Sequence, residues 1–397
     1  MLYLHIPFCK QACSYCNFHF STSMKTRPGV LAGLSSELRV RRQELPAGPV
    51  PSIYFGGGTP SLLTEAELNN LFKVFREEGY LGEAAGAGIG GKSSVEITLE
   101  ANPDDLDEAT IQTLANSPVN RLSIGIQSFF EEDLRFMNRA HTANEARAAV
   151  EKVNRAGFHD VSIDLIYGGQ TTTDEMWADN LKIATDLGVT HVSAYALTVE
   201  PKTALGVQVE RGKLPDTDDA KFTRHFEMLV DHLTSQGYRH YEVSNFCLPG
   251  RESKHNSGYW SGQPYLGIGP GAHGFDGRHT RRWNVEHNAT YAKAWADIHT
   301  YDDYLAAENL VYEQETLSHW DRYNEYVMTA LRREEGLTLE ELHERFGAEA
   351  VPYFSKSQVA NVLAGYFHKD TNQGRYRLTR AGIMRADGIA SDGFRLI

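Results

Sequence analysis

Along the first half of the chain, short β-rich apolar runs alternate with longer amphipathic stretches. The runs are "LYLHI" (2–6), "SIYFG" (52–56), "VEITLE" (95–100), "RLSIGIQS" (121–128), "VSIDLIYG" (161–168) and "HVSAYAL" (191–197). They are rich in Val, Ile, Tyr and Ser and end in glycine or polar residues, as strands do. Between them lie stretches of helical spacing such as "TEAELNNLFKVFREEG" (64–79) and "DEATIQTLANS" (107–117). Strand–helix alternation repeated about six times predicts βα units in a parallel sheet or barrel. Such folds carry their chemistry at the C-terminal ends of the strands. The polar and glycine signals fall there: cysteines after the first strand, "GGGTP" after the second, "EANPDD" after the third, Gln127 after the fourth.

The pattern then changes. Residues 216–305 are richer in His, Tyr, Trp and Gly and hold "RHYEVSNFCLPGRESKHNSGYW" and "YLGIGPGAHGF", with no clear period. From about 310, "HWDRYNEYVMTALRREEGL", "TLEELHERFG" and "YFSKSQVANVLAGYF" predict three helices, and "GRYRLTRAGIMRADGI" a short strand and a last helix. The expected division is a barrel over 1–215, an extension over 216–305 and a winged-helix-like domain over 306–397. The last reads as a packing and docking unit rather than a DNA reader, since no helix carries a dense basic face.

Charge narrows the functions. A formal charge of −13 over 397 residues argues against bulk electrostatic binding of nucleic acid or an anionic membrane. No apolar run is long enough to span a bilayer, and "MLYLHIPFC" has no signal-peptide pattern, so a cytosolic protein is expected. Clustered thiols in a reducing compartment are metal ligands or redox groups before they are disulfides. "GAGIGGKS" (86–93) matches a phosphate loop literally. Its context is inverted, with a helix before it and a strand after it, so a flexible linker is the expectation.

Cys9, Cys13 and Cys16 lie within "HIPFCKQACSYCNF" (5–18); the fourth cysteine, Cys247, is far away. Lys10, Gln11 and Ser14 make this a polar loop, against three buried structural thiols. A zinc site would draw four Cys or His ligands, with His5 or His19 as the fourth. The C-x3-C-x2-C spacing better fits an iron–sulfur cluster whose fourth iron lacks a protein ligand and stays open. "CKQACSYC" resembles the signature of radical S-adenosylmethionine (SAM) enzymes. The resemblance implies a [4Fe–4S] cluster on Cys9, Cys13 and Cys16, with SAM on the open iron. It implies an electron donor for the cluster and cleavage of SAM to methionine and a 5′-deoxyadenosyl radical. It also implies an α/β fold: a partial parallel (β/α)6 barrel with a C-terminal helical, winged-helix-like domain. "GGGTP" (56–60) is similar to the family's glycine-rich segment, where bare backbone meets the methionine end of SAM.

"YLHIPFC", "YFGGGTPS", "EANP", "SIGIQSF", "NRAH", "DLIYG" and "YEVSNF" run in order through the first two-thirds of the chain. They resemble the oxygen-independent coproporphyrinogen III oxidases and their relatives, the HemW haem chaperones. That likeness implies SAM contacts at Tyr3, Gly58, Thr59 and Glu100, and further contacts, partly to a second SAM, at Tyr15, Gln127, Arg139 and Asp164. Glu100 suits ribose hydroxyls or an amino group, Arg139 a carboxylate held in a fork, and Asp164 a ribose or an ammonium. The oxidase pattern has a further cysteine two residues after the third. Here that position is Phe18, as in the chaperones. "HNSGYW" (255–260) resembles the chaperones' H-N-x-x-Y-W motif, associated with haem. It implies His255 as axial ligand, Tyr259 and Trp260 as flat faces for the porphyrin, and Arg251 and Lys254 near its propionates. His273 in "PGAHG" is the rival ligand, and Cys247 is expected as a small core residue. The expected function is a haem chaperone that passes haem b to an acceptor such as a respiratory enzyme, with peripheral membrane association if so. The alternative is radical decarboxylation of coproporphyrinogen III.

Overall fold

The computed structural model describes residues 1–82, 94–368, 370 and 373–396; the phosphate-loop lookalike at 86–93 lies outside them. Nine strands form the central sheet: β1 (Leu2–Ile6), β2 (Ser52–Gly57), β3 (Glu96–Ala101), β4 (Arg121–Gln127), β5 (Val161–Tyr167), β6 (His191–Ala196), β7 (Arg239–Glu242), β8 (Asn245–Cys247) and β9 (Leu266–Ile268). Their order is β7-β8-β6-β5-β4-β3-β2-β1-β9. β1 to β6 are neighbours in chain order and all parallel, as helical crossovers dictate. The barrel is partial: β9 lies parallel along the free edge of β1, and β8 antiparallel along that of β6.

Alternation along each strand decides what faces where. One set of residues is apolar and fully buried: Leu2, Leu4 and Ile6 on β1, Ile53 and Phe55 on β2, Ile97 and Leu99 on β3. It packs against the helices in one continuous core. The helix Glu65–Glu77 starts on a Thr64–Glu67 capping box and buries Leu68, Leu71, Phe72, Val74 and Phe75. Each such side chain contributes about 1.5–3 kcal/mol. The other set is polar. Register aligns Tyr3, Tyr54, Thr98 and Arg121 across β1–β4, and Asp164 with Ser193 across β5–β6. The barrel interior is therefore a polar chamber, unlike the layered apolar core of a closed eight-stranded barrel.

Residues beyond β6 close the ends and edges of this barrel. Helix Asn288–Trp295 packs on helix Arg27–Val40, where Gly33 leaves room for Tyr291 (a Cβ would lie 2.8 Å from its ring). Glu37, wholly buried there, accepts from Arg41 Nη1 (2.6 Å), Tyr291 Oη (2.6 Å), Asn284 Nδ2 (2.7 Å) and the Gly269 amide (2.8 Å). An antiparallel three-stranded sheet follows: β10 (His273–Phe275), β11 (Thr280–Asn284) and β12 (Tyr312–Thr316).

The C-terminal region is helical, with a two-stranded ladder, β13 (Leu337–Thr338) and β14 (Arg375–Tyr376). It has its own core around Tyr323, Val327, Leu342 and Phe354. The third predicted helix is two, Ala350–Ser357 and Val359–Leu363, broken at Gln358; the last is likewise split into Arg380–Ile383 and Ala386–Asp392. Backbone bonds from Val243 N to Arg332 O (3.0 Å) and Glu334 N to Tyr241 O (3.0 Å) tie this region to the strand β7 and its turn. Among the described residues no helix is long and apolar enough to cross a membrane.

Candidate functional site

The three clustered cysteines sit half-buried on the loop after β1, and all are free. Neighbouring elements hold the loop through its backbone. Cys9 N donates to Ser21 O (3.1 Å), Ser14 N to Met137 O (3.0 Å), and Leu205 N to Ser14 O (2.8 Å). Asn138, in the left-handed region at φ 54°, donates from Nδ2 to Ala12 O (2.7 Å) and accepts from Gln11. Burial pushes the Cys9 thiol up to about 11, while a hydrogen bond with Thr59 and the Arg139 charge pull it back. A thiol so placed needs a cation to become a ligand. Among the described residues no three His, Cys, Asp or Glu groups converge on a single metal ion. A multi-iron cluster differs in taking one thiolate per iron.

The glycines after β2 shape the wall beside the loop. A Cβ on Gly58 would stand 2.7 Å from both the amide N and the carbonyl O of Phe8. Gly57 has φ 105° and its Cβ would strike the His5 ring at 2.5 Å. Gly58 thus serves the docking of the cysteine loop, and Gly57 makes room for His5 on β1. Gly58 N donates to Ile6 O (2.9 Å) and Thr59 N to Phe8 O (2.7 Å).

Facing the chamber, Glu100 and Asp164 are two protein-enclosed carboxylates with no ion-pair partner among the described residues. Glu100 accepts from Tyr54 Oη (2.8 Å), and burial, then the nearby Asp164 charge, raise it to about 7. Burial raises Asp164 to about 6 despite hydrogen bonds from Ser193 and Ser123. Two such groups without a counter-ion fit a cationic guest, and SAM carries an ammonium and a sulfonium. Arg139 crosses the mouth, donating to Cys13 Sγ (3.2 Å), Asn102 Oδ1 (2.6 Å) and Gly125 O (2.8 Å). Its buried Nε has no partner. Gln127 ends β4 at φ 63°, beside a register shift. A backbone held there costs about 1–3 kcal/mol, and such strain gathers at functional sites. Tyr15 is close enough to Arg139, Cys13 and Asp164 to feel their charges. The structure thus brings Tyr15, Thr59, Glu100, Gln127, Arg139, Asp164 and the cysteines to one end of the barrel, while Tyr3 lies deeper, its ring 6.5 Å from that of His255. Asn102, which anchors both Thr59 and Arg139, was not singled out from the sequence; its place in "EANP" after β3 was the signal.

His255 lies at the other end. The helix Lys254–Trp260 closes the barrel floor, its first turn capped by Glu96, which accepts from Lys254 N (2.9 Å) and His255 N (3.1 Å). Gly258 makes way for Met1, whose sulfur would lie 2.0 Å from a Cβ. The His255 ring is 1 % exposed, stacks on Tyr54 at 5.0 Å, and uses both nitrogens, on Ser52 Oγ (2.8 Å) and Tyr259 Oη (2.9 Å). Burial pushes it down to about 3. Arg251 faces Asp160 (3.9 Å) and Lys254 bonds Ser94 O (3.2 Å). Cys247 is buried in β8.

A cleft of about 1020 Å³ separates the barrel from the C-terminal region. Phe18, Tyr259, Trp260 and Tyr326 give it aromatic walls, and Tyr3 and His5 connect it with β1. Phe18 is 71 % exposed. Five arginines line it, against two glutamates. The arginines from the C-terminal region were invisible as site residues in sequence, because the fold alone brings them to the barrel.

A cysteine triplet after β1, a glycine wall after β2 and an open (β/α)6 barrel define a radical SAM protein. Residues 3–184 match the family model described as the radical SAM superfamily, and residues 317–385 match the HemN C-terminal domain. The chain is 36% identical over 400 residues to "Heme chaperone HemW" of Mycobacterium tuberculosis, covering 98% of this chain and 93% of that one. It is 34% identical to the protein of the same name from Lactococcus lactis, covering 87% and 84%. It is also 34% identical to mouse "Radical S-adenosyl methionine domain-containing protein 1, mitochondrial", covering 72% and 64%. The chain belongs to the HemW family. Its fold is shared with the Escherichia coli coproporphyrinogen III oxidase HemN, with a TM-score of 0.82 at 21% identity, over 100% of this chain and 90% of that one. Membership of the superfamily implies a [4Fe–4S] cluster and SAM.

Proposed function

We propose that this protein is a haem chaperone, which holds haem b in the cleft between barrel and C-terminal region and hands it to a haem-dependent acceptor in the cytosol or at the membrane surface. The cleft carries this reading. Its volume stands at the upper end of the roughly 300–1,000 Å³ usual for small-molecule sites, and its aromatic walls and surplus of arginine suit a flat apolar ring edged with carboxylates. Phe18 supports it too, putting an apolar face in the cleft where the oxidase pattern has a further thiol.

Cys9, Cys13 and Cys16 would ligate the cluster, and Tyr3, Tyr15, Gly58, Thr59, Glu100, Gln127, Arg139 and Asp164 would surround SAM. When bound, cluster and SAM supply one-electron chemistry. The protein's part is to bind and orient. Glu100 and Asp164 hold cationic groups, Arg139 fixes a carboxylate beside Cys13, and Asn102 fixes Arg139. Anaerobic reconstitution with SAM, reductant and coproporphyrinogen III should give no protoporphyrinogen IX, and hemin titration should give saturable binding. Turnover of the porphyrinogen, or failure to bind hemin, would overturn the proposal.

A further inference from the structure

We infer that His273, rather than His255, ligates the haem iron, and that Arg322 and Arg333 of the C-terminal region hold the propionates. This rests on the haem-carrier reading above and assigns its ligands.

A haem ligand needs a nitrogen lone pair that faces the cavity. The cleft is lined by four histidines: His5, His19, His273 and His279. His5 spends both nitrogens, on Tyr3 Oη (3.1 Å) and His19 O (2.9 Å). His19 bonds Asn288 Oδ1 (2.8 Å), and His279 sits 3.9 Å from Asp276. Only the His273 ring, among these four, makes no hydrogen bond or ion pair. It is placed on β10, stacked beside Trp283 at 6.0 Å. Burial and the Arg281 charge lower its pKa, so the imidazole is neutral near pH 7 with its lone pair free. His255, by contrast, is enclosed in the barrel floor with both nitrogens occupied. Iron ligation there would strip a hydrogen bond from Ser52 or Tyr259.

The arginines divide in the same way. Arg281 pairs with Glu325 (2.8 Å) and Arg345 with Glu341 (2.6 Å). Arg278, Arg322 and Arg333 line the same cavity with no carboxylate partner among the described residues; Arg322 Nη1 reaches only Arg278 O (3.4 Å), and the buried Nε of Arg333 has no acceptor at all. An unpaired buried guanidinium nitrogen is costly unless a ligand satisfies it. A dicarboxylate porphyrin would supply the acceptors, its ring against Phe18 and Trp260 and its iron toward β10.

The test uses the full chain with its cluster reconstituted, and two probes: hemin and iron-free protoporphyrin IX. His273→Ala should weaken hemin about tenfold or more, the loss of one strong contact, and abolish the imidazole signature in the Soret band and EPR. Added imidazole should restore that signature, and protoporphyrin IX binding should be unchanged. The Arg322→Ala, Arg333→Ala double variant should weaken both probes. His255→Ala should lower the melting temperature but leave the hemin spectrum of the folded protein intact. The assignment is overturned if His273→Ala keeps the wild-type hemin spectrum, or if it weakens both probes equally. If instead wild type binds no hemin, the carrier reading itself fails, and the assignment with it.

Discussion

Glu100→Gln should stabilise the cluster-free protein and at the same time weaken its hold on SAM. The carboxyl's ordinary value is 4.5, and in the folded chain it is raised to about 7. Below pH 4.5 the folded and unfolded states both carry the proton, and the residue costs nothing. Above pH 7 the folded state must hold a poorly solvated charge that the unfolded chain holds freely. At about 1.4 kcal/mol per pH unit that gap amounts to about 3.5 kcal/mol. Glu100 is partly open to the barrel mouth, so water relieves some of the penalty and about 2 kcal/mol is expected. Glutamine keeps an oxygen to accept from Tyr54. Urea unfolding of the cluster-free protein from pH 5 to 8 should therefore show the variant more stable by about 2 kcal/mol at pH 8, with the advantage shrinking toward pH 5. Calorimetry of SAM binding to the reconstituted variant should show roughly ten- to hundredfold weaker affinity, from loss of a charged partner. A variant no more stable than wild type at pH 8, or an advantage constant across the range, would refute the reasoning.

Wild-type SAM affinity should fall as pH drops through 7 and then 6, as Glu100 and Asp164 take up protons; calorimetry from pH 5.5 to 8 checks this, and a flat profile contradicts it. Arg139→Ala removes donors to Cys13, Asn102 and Gly125 and should reduce retained iron and cluster absorbance after desalting, while Arg139→Lys restores little because it cannot fork. Gly58→Ala forces a Cβ against the Phe8 backbone and should lower cluster yield and the melting temperature together. Glu37→Ala removes the acceptor shared by Arg41, Tyr291, Asn284 and the Gly269 amide, while Arg41 keeps its pair with Glu44 (2.9 Å), and should cost about 1–3 kcal/mol in urea unfolding; no cost at all would mean water replaces the carboxylate.

The six barrel strands were legible because each run carries its own apolar face, and helices were legible where a capping box and an apolar stripe coincide, as at Thr64–Phe75. β7, β8 and β9 were not, because strands of three or four residues have no period of their own and exist through pairing with distant partners. The chamber residues were reached through resemblance rather than pattern, since a lone Glu100 or Asp164 in a strand looks like an ordinary polar face. "HNSGYW" stood out as a motif, yet no sequence reading shows that Ser52, Glu96 and Met1 wrap its histidine. The C-terminal arginines reach the cleft only through the docking of their region beside β7.

The pairing of β1 with β9 has a consequence for synthesis. Leu2, Tyr3 and Leu4 find their outer neighbours at Leu266, Gly267 and Ile268, and the Met1 ammonium donates to Pro264 O (2.9 Å). β1 thus leaves the ribosome well before its outer neighbour β9, and until residue 268 emerges it presents a bare edge that invites pairing with other chains. A nascent chain stalled before residue 266 would keep that edge open and lengthen the window for aggregation.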